Sequence, residues 1–297
     1  MSGDSQIEVT ESHTAQVGAM EVRRALPRRA RRTVGAWCFA DHMGPVALRP
    51  GVGADIGPHP HAGLQTVTWL VAGELLHRDS LGSEQSIRPG QLNLMTAGLG
   101  VSHAEESPTG RPDELHGIQL WVAQPEATRH GPPAFEHHAA LPRAEFPNAI
   151  ATVLVGDLAG TSSPARHDSD HLGAELAIRP GRTAIPLEAA HEHGLIVLAG
   201  EIAVLGAGAD ERAALSPGRL GYLAPGAFDL TLEATAPATV MLLGGTPFPE
   251  RLYLWWNFVA RSAEEARAAQ ASWADDDGRF GTVATALPRT PAPAFDR

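Results

Sequence analysis

The chain has 297 residues, a formal net charge of −11 and 23 basic residues, all of them arginine. The absence of lysine excludes Schiff-base chemistry and a Walker-type phosphate loop, and the net acidity argues against direct binding to nucleic acid. A single cysteine, Cys38, cannot form an internal disulfide, and no apolar stretch is long enough to span a bilayer. We therefore expect a cytoplasmic protein without membrane contact.

Short apolar runs separated by glycine and proline dominate the chain, which predicts strands joined by turns. The first 30 residues are expected to be a flexible segment. Regular short strands without intervening helical patterns are typical of an all-β sandwich or barrel. The predicted strands are Thr33–Phe39, Thr66–Val71, Leu92–Met95, Gly117–Val122, Thr152–Val155, Glu175–Ile178, Leu195–Ala199, Glu201–Leu205, Leu220–Leu223, Phe228–Glu233 and Thr239–Leu243.

Two short histidine motifs flank the first predicted β meander. Pro58-His59-Pro60-His61 precedes the strand at Thr66, and Ser102-His103-Ala104-Glu105 follows a glycine-rich turn. In an extended strand, residues i and i+2 point to one face, so each motif offers two ligands to the same side. Three imidazoles and one carboxylate suit a first-row transition metal. We interpret residues 31–123 as a metal-binding cupin domain, with His59, His61, His103 and Glu105 as the ligands.

Proline, histidine and charged residues fill the segment 124–148, which is predicted to be a linker. Beyond it, an internal repeat predicts a second cupin domain over residues 149–281. Val71-Ala72-Gly73-Glu74-Leu75 resembles Leu198-Ala199-Gly200-Glu201-Ile202, and Pro89-Gly90-Gln91-Leu92 resembles Pro217-Gly218-Arg219-Leu220. The offsets of 127 and 128 residues place the four ligands on Pro186, Glu188, Thr231 and Glu233. The second domain is therefore expected to bind no metal, and His191-Glu192-His193 falls beyond the ligand positions.

Three features are predicted near the C-terminus. The aromatic run Arg251–Val259 is interpreted as packing sequence. Ser262-Ala263-Glu264-Glu265 is a capping-box pattern and predicts a helix over residues 262–274. Residues 282–297 lack any periodicity and are expected to be a flexible tail.

From about Arg31 to Gly281 the chain resembles the pirin family. The resemblance rests on His-Pro-His followed by a Thr-Val-Thr strand, Met-Thr-Ala-Gly-x-Gly leading into His-x-Glu, and the later Trp-Trp-Asn-Phe-Val. It implies a bicupin with one mononuclear iron, Fe²⁺ or another divalent transition metal, in the N-terminal domain. The family's ligands fall on His59, His61, His103 and Glu105. Many pirins carry glutamate where this chain has Gln65, a change expected to leave metal binding intact.

Two functions follow from the resemblance. The first is a quercetin 2,3-dioxygenase that acts on a flavonol-like substrate and dioxygen, with Glu105 as the catalytic acid and base. The second is a non-catalytic regulator in which the oxidation state of the iron alters a contact with a protein partner. A zinc-dependent isomerase or lyase fits the motifs less well. In each case a monomer is expected.

Overall fold

The computed structural model of the chain describes residues 7–48, 54–206 and 212–295, and strands dominate them. Up to residue 146 the strands are β1 (Glu8–Glu11), β2 (His13–Val17), β3 (Met20–Leu26), β4 (Trp37–Ala47), β5 (Ile56–His61), β6 (Leu64–Ala72), β7 (Leu75–Asp79), β8 (Glu84–Ile87), β9 (Leu92–Thr96), β10 (Val101–Glu106), β11 (Glu114–Ala123), β12 (Ala134–His138) and β13 (Arg143–Phe146). The later elements are β14 (Ala149–Val155), β15 (Asp157–Leu158), β16 (Thr161–Ser162), β17 (His171–Ile178), β18 (Gly181–Pro186), β19 (Glu192–Ala199), β20 (Ile202–Leu205), β21 (Arg212–Leu215), β22 (Arg219–Leu223), β23 (Asp229–Ala234), β24 (Ala238–Gly245), β25 (Tyr253–Trp255), β26 (Phe258–Ala260) and the helix α1 (Ala263–Asp275).

The chain forms two compact units, each assembled from separate segments. We call one the histidine unit, which comprises residues 16–22, 43–139 and the chain from 249 onward. The other is the apolar unit, which comprises the chain up to residue 15, residues 23–42 and residues 140–248. The expected order of an N-terminal domain, a linker and a C-terminal domain is therefore replaced by interleaved segments.

Each unit contains a four-stranded sheet whose strands pair antiparallel. The order is β5-β10-β7-β8 in the histidine unit and β18-β23-β20-β21 in the apolar unit. Two seven-stranded sheets have the orders β12-β9-β6-β11-β4-β3-β2 and β1-β22-β19-β24-β17-β14-β13. All four strands therefore correspond in order between the two smaller sheets, which is the relationship that the internal repeat predicts.

The core of the apolar unit lies between its two sheets. Leu176, Leu195 and Val240 come from the larger sheet, and Ile185 and Leu230 come from the smaller one, all in a single buried cluster. Alternation along the strands accounts for this, because residues i and i+2 of a strand share a face. Burying such a leucine or isoleucine contributes about 1.5–3 kcal/mol of transfer free energy.

Two segments that were predicted to lack regular structure contain strands. Residues in the expected flexible segment 1–30 form β1, β2 and β3, and the predicted linker 124–148 contains β12, which pairs with β9, and β13, which pairs with β14. β1 adds to the edge of a sheet by pairing with β22. Such edge strands are held by backbone hydrogen bonds, so their own sequence shows little apolar alternation.

The predicted helix is confirmed within one residue at each end. The Ser262 hydroxyl accepts a hydrogen bond from the Glu265 N–H, as an N-cap residue does. The helix groups with the histidine unit and not with residues 149–248. In the expected flexible tail, the Thr290 N–H donates to the Pro58 carbonyl at 2.8 Å, and the Thr285 hydroxyl donates to Glu106 at 2.6 Å.

Candidate metal centre

Two antiparallel strands bring the predicted histidines together. In the pairing of β5 with β10, His59 lies opposite His103, and His61 lies opposite Val101. The ligand nitrogens of His59, His61 and His103 all lie within 4.8 Å of one another, and all three residues are buried. The i, i+2 spacing of His59 and His61 places both rings on the face that carries His103. The predicted clustering of the three histidines is present in the structure.

Each of the three rings is oriented by a hydrogen bond at Nδ1. His59 Nδ1 lies 2.9 Å from the Gly57 carbonyl oxygen, and His61 Nδ1 lies 3.2 Å from the Asn257 carbonyl oxygen. A carbonyl oxygen can only accept, so both Nδ1 atoms carry the proton and both Nε2 atoms keep a lone pair. His103 Nδ1 lies 3.3 Å from Nδ1 of His77. The Nε2 atoms of His59 and His61 are therefore available to a metal ion, and His103 Nε2 is available when His103 donates to His77.

Burial keeps the three rings neutral. It lowers the pKa of His59 to about 4 and the pKa values of His61 and His103 well below the ordinary 6.5, and the neighbouring histidines lower them further for His61 and His103. Removal of an imidazolium from water is the dominant cause. Neutral imidazole is the form that binds metal, so proton competition for these ligands is weak above about pH 5.

The spacing of two Nε2 atoms fits a bound cation. His61 Nε2 and His103 Nε2 are 3.1 Å apart. Two nitrogens that are each about 2.1 Å from one ion and at right angles would be about 3.0 Å apart. When each ring carries one proton at Nδ1, two lone pairs face each other across this gap. That arrangement is unfavourable by itself and becomes favourable with a cation between them.

Glu105 lies beside this cluster without joining it. It is two residues beyond His103 on β10, after a bulge in the pairing with β5. Among the described residues, the group of mutually close ligand atoms contains the three histidines and no carboxylate. Burial raises the pKa of Glu105 to about 7. Its predicted roles as a fourth ligand and as a catalytic acid and base remain predictions.

Two residues that the sequence analysis did not single out contact the cluster. His77 and Asp79 lie on β7, where His77 is opposite Glu105 and Asp79 is opposite His103. His77 Nε2 is 3.1 Å from an Asp79 carboxylate oxygen, and both residues are buried. The sequence did carry a signal, because His77-x-Asp79 has the same i, i+2 spacing as the two ligand motifs.

The aromatic run near the C-terminus also reaches the cluster. β25 and β26 form a hairpin whose turn holds Trp256 and Asn257, and the Asn257 carbonyl is the acceptor for His61. Phe258 belongs to a buried apolar cluster with Trp273 and Phe280, so its interpretation as packing sequence is confirmed. Gly63 allows β26 to lie close to the segment after His61, since a Cβ at residue 63 would lie 2.3 Å from the Val259 carbonyl oxygen.

Gln65 points away from the cluster. Its neighbour Thr66 is opposite Trp121 in the pairing of β6 with β11, and the Trp121 ring lies 5.2 Å from that of His61. Alternation therefore places Gln65 on the other face of β6, where its amide donates to the Thr96 hydroxyl at 2.9 Å. The substitution of glutamate by Gln65 removes no charge from the face that carries the histidines.

The apolar unit replaces all four predicted ligands with aliphatic residues. Glu105 is opposite His77 in the histidine unit, and Leu232 is opposite Val204 in the apolar unit. His77 and Val204 are equivalent, because each lies three residues after the glutamate of its Gly-Glu turn. Likewise His103 pairs with His59, as Leu230 pairs with Ile185. The counterparts of His59, His61, His103 and Glu105 are Ile185, Leu187, Leu230 and Leu232, all in the apolar core.

This register corrects the predicted counterparts Pro186, Glu188, Thr231 and Glu233. Met95 and Leu223 are equivalent in the repeat. His103 comes eight residues after Met95, whereas Leu230 comes seven residues after Leu223, so the turn before β23 is one residue shorter than the turn before β10. A shift of one residue in a strand moves every side chain to the opposite face. The expected loss of the ligand histidines holds, with different residues in their places.

The triplet His191-Glu192-His193 does not rebuild a cluster. His191 Nε2 lies 2.9 Å from Asp170, and the Glu192 carboxylate accepts from the Gly35 N–H and the Tyr222 hydroxyl. His193 is fully buried, and neither ring nitrogen has a hydrogen-bond partner among the described residues. Burial lowers the pKa of His193 to about 4, so its ring is neutral.

A cavity of about 330 Å³ lies elsewhere in the histidine unit, between the turn at Gly98, the β26 strand and α1. None of the four predicted ligands lines it. Among the described residues, no helix combines the length and the apolar character needed to span a membrane.

Comparisons with known proteins agree with the motifs. The family described as Pirin matches residues 19–122, and the Pirin C-terminal cupin domain matches residues 174–281. A "Putative quercetin 2,3-dioxygenase" of Pseudomonas aeruginosa is 47% identical over 93% of this chain and 86% of its own length. A "Pirin-like protein" of Caulobacter vibrioides is 37% identical over 89% and 92%. The crystal structure of a quercetin 2,3-dioxygenase from Acinetobacter baumannii superimposes with a TM-score of 0.92, at 39% identity over 98% and 96% of the two chains.

Proposed function

Because this chain belongs to the pirin family and has its bicupin fold, we propose that it is an iron-dependent dioxygenase that opens the ring of a flavonol-like substrate. The observation that carries the proposal is the buried triad of neutral histidines, whose ligand nitrogens all lie within 4.8 Å of one another. The similarity to proteins named quercetin 2,3-dioxygenase supplies the reaction class. Substrate and metal identity are parts of the proposal.

His59, His61 and His103 would hold the metal. Neutral imidazole suits iron as well as copper, nickel and zinc, so the donor set fits the divalent metal that the family implies. A bound iron would supply a Lewis acid and an electron pathway between the substrate and dioxygen. The carbonyls of Gly57 and Asn257 keep the first two rings in the required tautomer.

Glu105 would take the proton of the flavonol hydroxyl. Burial raises its pKa to about 7, which makes the carboxylate a stronger base than an exposed glutamate. It would also complete the ligand set. Retention of full turnover by a Glu105→Ala protein that still holds one iron would contradict the role as a base.

The exposure of the four residues suggests the side from which a substrate arrives. His59 and Glu105 keep 8% and 9% of their surface exposed, whereas His61 and His103 keep 1% and 2%. We therefore place the approach beside His59 and Glu105. The base then lies on the same side as the incoming hydroxyl.

The direct test is dioxygen uptake by the iron-reconstituted protein with quercetin, with metal content assayed on the same samples. We expect uptake by the wild type and none by His103→Ala. The matched control is His191→Ala, which removes a buried histidine of the apolar unit and should leave uptake unchanged. No uptake by a wild-type protein that holds one iron would contradict the dioxygenase proposal and favour the regulatory function.

A further inference from the structure

A chain of three side chains leads from the metal triad to a fixed carboxylate. His103 Nδ1 lies 3.3 Å from His77 Nδ1, and His77 Nε2 lies 3.1 Å from an Asp79 carboxylate oxygen. The pairing of β7 with β10 places these residues directly across from the ligand strand, with Asp79 opposite His103. Side-chain contacts therefore join β7 and β10 in addition to their backbone pairing.

His77 and Asp79 are both held in place by further contacts. The other Asp79 carboxylate oxygen accepts from the backbone N–H groups of Leu81 and Ser83, each at 2.9 Å. The His77 ring stacks on Phe135, with centroids 4.4 Å apart and planes inclined by 13°. His77 and Asp79 are 5% and 2% exposed, so water competes little for their hydrogen bonds. The orientation of His103 therefore rests on a rigid support.

If His103 held a metal through Nε2, the position of every proton along the chain would be determined. A neutral imidazole that binds through Nε2 carries its proton at Nδ1, so His103 donates to His77 Nδ1. His77 must then accept at Nδ1 and carry its own proton at Nε2, facing Asp79. The carboxylate can only accept, and it completes the sequence. Each hydrogen bond along the chain then pairs one donor with one acceptor.

The apolar unit lacks this pair as well as the ligands. At the positions of His77 and Asp79 it has Val204 and Gly206, in a sheet with the same strand order. Val204 belongs to the apolar core. The sheet can therefore be built without the pair, and His77 and Asp79 occur together with the metal-binding side chains.

We propose that His77 and Asp79 are positioning residues that fix the tautomer and orientation of His103 and make it a stronger metal ligand. Hydrogen bonds from a ligating imidazole to a buried acceptor raise the electron density at the bound nitrogen and restrict ring rotation. The inference rests on the proposed metal site. It adds two residues to that site and assigns them no contact with the metal or the substrate.

The test is Co²⁺ binding by the full chain, measured by competition with a chelator and by the visible ligand-field bands of the Co²⁺ protein. We expect Asp79→Asn to weaken binding by about 10–100-fold and to shift the bands. Asparagine keeps the size of the side chain and an acceptor for the Leu81 and Ser83 N–H groups. The matched control is Asp170→Asn, which removes a carboxylate from His191 in the apolar unit and should change neither quantity.

A second variant covers the case in which Asp79→Asn does not fold. His77→Gln keeps an acceptor toward His103 and a donor toward Asp79, and we expect it to bind Co²⁺ more tightly than His77→Leu. Equal affinity and identical bands in the wild type, Asp79→Asn and His77→Leu would overturn the inference while leaving the metal site intact. Failure of the folded wild type to bind Co²⁺ would instead overturn the metal site.

Discussion

The two small sheets have the same strand order and opposite interiors. In the histidine unit, β5 and β10 bring three histidines together, with Glu105 beside them. In the apolar unit, β18 and β23 present isoleucine and leucine at the matching positions. The strand framework therefore does not require the histidines, which are a local substitution on a strand arrangement that the apolar unit builds without them.

The substitution has an energetic cost. A buried polar side chain without full hydrogen bonding costs about 1–3 kcal/mol, whereas a buried aliphatic side chain contributes favourably. In the histidine unit, buried polar side chains occupy several adjacent positions. A bound metal offsets this cost, because binding to the folded state alone adds to stability.

The largest effect is expected when the histidine unit is given the residues of the apolar unit. His59→Ile, His61→Leu and His103→Leu together should reduce metal content from about one ion per chain to less than about a tenth, since all three nitrogens are lost. The metal-free protein should unfold at the same temperature as metal-free wild type or above it. Elemental analysis and thermal unfolding measure both. Retention of one ion would show that the ligands lie elsewhere, and His193→Leu serves as the control.

The next effect concerns the pH dependence of stability. The pKa of Glu105 rises from 4.5 to about 7 on burial, so its contribution to the stability of the metal-free protein is full below pH 4.5 and is lost as the pH rises through about 7. The loss is about 3 kcal/mol at most. Glu105→Gln should remove that decline between pH 5 and pH 8. Denaturant unfolding at several pH values provides the measurement, and an unchanged pH profile would contradict the assignment.

A smaller effect is expected at His193, the polar residue within the apolar unit. Neither of its ring nitrogens has a hydrogen-bond partner among the described residues, and it lies beside Leu223 and Gly244 in the sheet. His193→Leu should stabilise the protein by about 1–3 kcal/mol. Metal content should stay unchanged. Destabilisation in denaturant unfolding would mean that the ring has a partner or a function.

The smallest effect is expected at Gln65. Because its side chain donates to Thr96 of β9 on the face of β6 opposite to the histidines, Gln65→Glu should leave metal content and the Co²⁺ bands unchanged. Binding measurements on the two proteins side by side test this. A shifted spectrum would place residue 65 next to the metal and contradict the strand alternation deduced from Thr66 and Trp121.

The sequence predicted the cluster of three histidines better than its framework. The i, i+2 spacing of His59 with His61 identified a shared face, because strand geometry is local. The predicted counterparts of the ligands in the apolar unit were wrong by one residue. A turn that is one residue shorter moves the following side chains to the opposite face of the strand, and an internal repeat does not preserve turn length. β1 and β12 were missed because an edge strand is defined by its partner. His77 was missed because its role depends on a neighbouring strand 26 residues away.

The most direct test of the metal centre is anomalous scattering at the iron edge from crystals of the iron-reconstituted protein. We predict one peak per chain in the histidine unit, about 2.1 Å from the Nε2 atoms of His59, His61 and His103. A peak beside His191 or His193, or none in crystals grown from protein that carries one iron per chain, would contradict the account.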